Sequence, residues 1–126
     1  MGLDQYAYVA PANAYEGEVD FRVTEVVTEI SYWRKHNALQ GWMEQLYRAN
    51  GGTEDSFNCV NVNLTMDDLA ALEKAVTQQA LPETQGFFFG NDSSKDEYYR
   101  IKDLEFIARA RQELLDGNKV YYSSWW

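Results

Sequence analysis

The chain predicts an α+β fold. It reads as a single domain over residues 1–126, with a small mixed or antiparallel sheet of about four strands packed against about three helices. Three observations predict this. Stretches of period-two alternation are interleaved with stretches at helical spacing. The strand-like stretches are short and polar on one face, whereas a doubly wound parallel sheet needs continuously apolar runs. No repeat, low-complexity tract or long linker divides the chain.

The elements follow in order. "LDQYAYVA" puts Leu3, Gln5, Ala7 and Val9 on one face and Asp4, Tyr6 and Tyr8 on the other, as in a half-buried strand. "PANAYEGE", with Pro11 and Gly17, is a loop. "DFRVTEVVTEIS" is ambiguous: its β-branched residues favour a strand, while Val23, Val26, Val27 and Ile30 also fit a helix. A helix is expected from near Tyr32, with Leu39, Trp42, Met43 and Leu46 as its buried stripe and Asn50-Gly51-Gly52 as its stop.

The strand "SFNCVNVNLT" (56–65) directs Phe57 and Cys59 one way and Val60, Val62 and Leu64 the other, so Cys59 reads as a small core residue. Thr65 is a good cap for a second helix, with Asp67 and Asp68 against its dipole. Its stripe is Leu69, Leu72, Val76 and Ala80, and Pro82 ends it. "QGFFFGND" (85–92) is a short apolar strand. Ser93 or Ser94 caps a third helix, with Asp96 and Glu97 in its first turn and Leu104, Ile107, Ala108, Leu114 and Leu115 on its buried face. "KVYYSSWW" closes the chain as a strand whose final tryptophans either pack back on the domain or offer an apolar patch to another chain.

Charge and composition exclude several functions. The formal net charge of −9 opposes general binding to nucleic-acid phosphates and docking on anionic membranes, and suits a basic protein partner. One cysteine and one histidine cannot make a Cys/His zinc site or an internal disulfide. Asp92, Asp96 and Glu97 match no calcium loop, because the glycine precedes the acids, and no metal is expected there. Neither nucleotide-binding glycine fingerprint is present, and no cofactor is expected. With no signal peptide and no apolar run of transmembrane length, the expected location is the cytoplasm.

"YWRKHNALQGW" (32–42) concentrates aromatic bulk and cations in this acidic chain. Cations in a helix's first turn oppose its dipole and call for compensation. Glu25 and Glu29 are near enough in sequence to supply it. An anionic ligand held by Arg34 and Lys35 beside a tryptophan wall is the alternative. Once the buried stripe is assigned, Trp33, Arg34, Asn37 and Gln40 remain as the candidate ligand-binding face, with Tyr98 or Tyr99 near it. His36 lies near the stripe and reads as a satisfied structural histidine, and the residues carry no catalytic signature.

The segments "MGLDQYAY", "EISYWRKHNALQGWM", "LPETQGFFFGND", "DEYYRIKDLEFI" and "YYSSWW", in this order, resemble a family of small, mostly bacteriophage-encoded proteins. Trp33, Arg34, Lys35, Asn37 and Trp42 match the family's first-helix motif. Leu39, Gln40 and Met43 stand where the family usually has Ile, His and Phe, so a mechanism needing that imidazole does not carry over. The resemblance implies a phage-type accessory protein of the host cytoplasm and brings no reaction or cofactor with it. Together with the acidic surface and surplus aromatics, it leads to the expectation of a non-enzymatic chain that binds a host or phage protein. The same aromatic surface would serve a homo-oligomer. The alternative is a small anionic-ligand binder or hydrolase built on Trp33, Arg34, Asn37 and Gln40.

Overall fold

The structure, a computed structural model, describes residues 2–83 and 93–126. The alternation in the N-terminal segment becomes β1 (Asp4–Ala10), with Gln5 and Ala7 fully buried and Tyr6 and Tyr8 on the opposite face. The C-terminal segment becomes β4 (Lys119–Trp125), which lies antiparallel beside β1 with Gln5 opposite Ser124 and Ala7 opposite Tyr122. β2 (Thr28–Arg34) pairs with the other side of β1, and β3 (Val62–Leu64) with the other side of β4. The order is β2-β1-β4-β3, and every pair is antiparallel.

Three helices complete the described fold: α1 (Asn37–Ala49), α2 (Met66–Thr77) and α3 (Glu97–Leu115). The expected α+β architecture is therefore present, in its antiparallel form. One core joins sheet residues Ala7, Trp33, Val62, Leu64, Val120 and Tyr122 to helix residues including Leu39, Met43, Leu72 and Ile107. A second, smaller cluster lies on the other face of the sheet, where Tyr15 and Phe21 stack at 3.8 Å and both meet Tyr121 edge-on. That cluster covers Ala10 and the Tyr8 end of β1.

Several boundaries differ from the sequence reading. The helix expected from Tyr32 starts at Asn37, and Tyr32, Trp33 and Arg34 belong to β2. Pairing with β1 is what decides: the β-branched and aromatic run Ile30–Trp33 gains a cross-strand partner there. Lys35, at φ +58, then turns the chain into the helix. The ambiguous 21–31 segment is strand only from Thr28. Within 56–65 only Val62–Leu64 is strand, and Cys59 is exposed at φ +59, outside the core. A residue in that conformation cannot continue a ladder.

Thr65 does cap α2, with a reciprocal capping box to Asp68, and Leu69, Leu72 and Val76 are buried, whereas Ala80 is exposed. The cap of α3 is Asp96, because a two-residue reach to the Tyr98 N–H suits an aspartate, and Ser93 is engaged elsewhere. The buried residues of α3 are Asp103, Phe106, Ile107 and Ala110, while Ala108 and Leu115 are exposed. The strand expected at 85–92 lies outside the described residues. Of the final tryptophans, Trp126 packs back through its indole N–H to the Phe57 carbonyl at 2.9 Å, and Trp125 is 63% exposed.

Candidate functional site

The four candidate residues do not share one face. Trp33 is buried on β2, Asn37 and Gln40 are buried in the first turn of α1, and Arg34 points to the opposite face of the sheet. Strand alternation separates Trp33 from Arg34, since neighbours in a strand face opposite ways. Arg34 makes a 2.8 Å ion pair with Asp4, its partner across β1, and Asp4 also accepts the Tyr32 hydroxyl at 2.5 Å. The Tyr32 hydroxyl, ahead of the Arg34 guanidinium, holds the Asp4 carboxyl below its ordinary range, with partial burial opposing. Arg34 is thus compensated by a carboxylate of its own chain, and neither Arg34 nor Lys35 lies in the helix.

The three buried candidates enter a continuous polar network. His36 precedes α1 and is completely buried. Its Nε2 lies 2.7 Å from Asp103 Oδ2 and its Nδ1 lies 2.6 Å from Ser93 Oγ. Trp33 Nε1 donates to the other Asp103 oxygen at 2.9 Å. Ser93 Oγ lies 2.9 Å from Asn37 Oδ1 and accepts the Ala38 N–H at 3.1 Å. His36 supplies no side-chain cap to α1, so Ser93 satisfies a first-turn donor from a distant part of the chain.

A second branch runs through the sheet. The Gln5 amide clamps the His36 backbone, accepting its N–H at 2.9 Å and donating to its carbonyl at 2.8 Å. Gln5 also donates to the Tyr122 hydroxyl, which donates to Gln40 Oε1. Gln40 Nε2 then donates to Ser124 Oγ at 2.9 Å and to the Phe57 carbonyl at 3.2 Å. Burial pushes the Tyr122 phenol far above its usual value, so it stays a neutral donor. Among the described residues no buried side-chain nitrogen or oxygen lacks a partner.

Ser93, His36 and Asp103 have the residue types of a nucleophile, base and orienting acid. Chemistry requires more: the serine oxygen must face a substrate carbon. Here Ser93 Oγ is enclosed by His36, Asn37 and Ala38, and Tyr99 stacks on the imidazole at 4.3 Å. The cavity beside them, lined by His36, Ser93 and Asp103 among others, measures about 10 Å³, the space of one water molecule. The arrangement holds the start of α1 to α3 and the sheet.

Sequence reasoning identified His36 as satisfied but missed its partners. Asp103 had a signal: it shares the helical stripe of Phe106, Ile107 and Ala110, and an acid on a core stripe calls for buried donors. Gln5 carried the same signal on the core face of β1. Nothing local marked Ser93 as the partner of His36, because 57 positions separate them.

The outer face of the sheet is the more open surface. Asp4 and Tyr6 of β1, Tyr32 and Arg34 of β2, and Ser123 and Trp125 of β4 share it by register. Tyr6 stacks on Tyr8 at 5.9 Å and meets Tyr32 at 5.4 Å. Beside them a cavity of about 330 Å³ is lined by Gly2, Asp4, Arg34, Trp125 and Trp126.

Fold and site together define a small antiparallel α+β domain with a satisfied polar interior and an aromatic, partly uncovered sheet face. No protein-family model, curated protein or solved structure matches the chain. No helix among the described residues is long and apolar enough to cross a membrane.

Proposed function

We propose that this chain is a non-enzymatic, phage-type accessory protein that binds a protein partner on the outer face of its sheet. One contrast carries the reading. The polar groups of Trp33, Asn37 and Gln40 are engaged inside the protein, whereas Tyr6, Tyr32, Arg34 and Trp125 stand together on a face the helices do not cover. Rigid aromatics beside an arginine are what interface hot spots are made of. Exposed aromatics of this kind suit a second copy of the chain as well as an unlike partner. The surrounding negative charge would speed encounter with a basic protein, in the cytoplasm of a host.

The test is capture from host or phage-infected lysate on the immobilised chain. Retention that saturates, weakens with salt and falls at least about tenfold in Trp125→Ala supports the reading. Retention indifferent to Trp125→Ala and Arg34→Ala, or no saturable partner, overturns it. The ligand-binder alternative keeps only Arg34 at the surface, beside the 330 Å³ cavity. A thermal shift with an anionic metabolite, abolished by Arg34→Ala, would favour that alternative.

A further inference from the structure

α3 buries Asp103, Phe106, Ile107 and Ala110 against the domain. Its flank beside β2 carries Tyr98, Lys102, Glu105 and Arg109, spaced four, three and four residues apart on one stripe, with Ile101 beside it. Tyr98, in the first turn, is 66% exposed and Ile101, one turn further on, is 51% exposed, so two large side chains with apolar bodies stand in water side by side. Lys102 and Glu105 make no ion pair among the described residues, although each could reach an opposite charge on a neighbouring surface. Shallow cavities of about 190, 270 and 220 Å³ flank this stripe, and Lys102 lines all three.

We propose that this stripe pairs with the same stripe of a second copy, α3 against α3, antiparallel about a two-fold axis between Lys102 and Glu105. The order of residues supports this occupant. A two-fold axis at that point sets Lys102 against Glu105 of the second copy, and Glu105 against its Lys102. The same axis sets Tyr98 against Arg109 at both ends, a cation over an aromatic face. A contact in which each residue meets the complement it itself presents is the condition for a closed, isologous dimer. Apolar Ile101 lies next to the axis, where a desolvated centre is needed. Among the described residues Arg109 pairs with Glu113 alone, in a solvent-screened contact of small worth, so it is available. Tyr32 and Arg34 at the edge of the aromatic sheet face line the cavities beside this stripe, whereas Trp125, two strands away on β4, does not.

Sedimentation equilibrium on the full chain tests it, from about 10 μM to about 1 mM, a range that brackets weak and moderate dimers. Wild type should pass from monomer to dimer as concentration rises. Lys102→Glu makes the stripe acidic at both central positions, and Glu105→Lys makes it basic at both. Each variant alone should weaken the dimer at least about tenfold. Mixing the two single variants should restore association as a heterodimer, because acidic then meets basic at both positions. The double variant carrying both changes should again self-associate. Trp125→Ala, on the sheet face, should leave all of this unchanged. A wild-type chain that stays monomeric throughout, or single variants that dimerise as wild type does, would overturn the proposal, as would a mixture that fails to associate.

Discussion

The indole N–H of Trp33 donates to Asp103 Oδ1 at 2.9 Å, joining two residues 70 positions apart in sequence. The other oxygen of the same carboxylate meets His36 at 2.7 Å. One acid on α3 therefore satisfies a buried donor on β2 and the residue that begins α1. Asp103→Ala should cost about 3–5 kcal/mol, because it strands two buried polar groups at once. Asp103→Asn should cost less, since its amide oxygen can still accept from Trp33. Urea unfolding with an unchanged slope is the measurement. A loss below about 1 kcal/mol for Asp103→Ala would mean that the carboxylate does not hold these elements together.

Gln40 and Tyr122 should behave as a coupled pair. The Tyr122 hydroxyl accepts from Gln5 at 3.0 Å and donates to Gln40, so removing either member orphans the other. Tyr122→Phe and Gln40→Leu should each cost about 1–3 kcal/mol. The double variant should cost clearly less than the sum, because no orphaned partner is left across the pair. Gln40→His can replace at most two of the three hydrogen bonds made by the glutamine. It should therefore fall between wild type and Gln40→Leu. Additive single and double losses in a chemical-unfolding cycle would argue against coupling.

Alkaline pH should unfold the chain through its buried tyrosines. Burial raises the Tyr121 phenol from 10.0 to about 12, and it raises Tyr15 and Tyr122 further. The unfolded chain ionises first, so stability from these groups is complete below pH 10.0 and is lost as pH climbs through each folded value. The slope is at most about 1.4 kcal/mol per pH unit for each such tyrosine. Stability measured from neutral pH upward should be flat and then fall steeply above pH 10.0, with tyrosinate absorbance rising in step with unfolding. Tyrosines that all ionise near their ordinary value while the fold persists would contradict the buried positions.

Much of the architecture was legible because periodicity is a local property. The faces of β1, the Thr65 cap and the Leu69, Leu72, Val76 stripe all follow from spacing within a few residues. The start of α1 was not legible, because pairing with β1 overrides any helical reading of Tyr32–Arg34. That one shift changed the candidate site. On a helix Trp33, Asn37 and Gln40 share a face, whereas a strand followed by the Lys35 turn sends Arg34 outward and the other three into the core. Cys59 failed for a related reason: its positive φ breaks the alternation that placed it in the core. The Ser93–His36–Asp103 contacts depend wholly on tertiary placement, and no local pattern encodes them.

Gly52 should tolerate replacement poorly, and the reason is space. A Cβ added there would lie 2.3 Å from two atoms of the Tyr47 ring, far inside any real contact. That ring cannot move cheaply. It is fully buried, its hydroxyl donates to Asp20 at 2.7 Å and accepts the Glu54 N–H at 3.0 Å, and the Gly52 N–H itself bonds the Tyr47 carbonyl at 2.9 Å. Gly52→Ala should therefore cost about 2–3 kcal/mol, from overpacking plus weakened hydrogen bonds. Gly117 gives the contrast: its φ is +88, but an added Cβ meets nothing within 4 Å. Gly117→Ala should cost only the backbone strain, about 1 kcal/mol. Thermal unfolding of the two variants side by side separates the causes, and equal losses would show that contact with Tyr47 is not what Gly52 avoids.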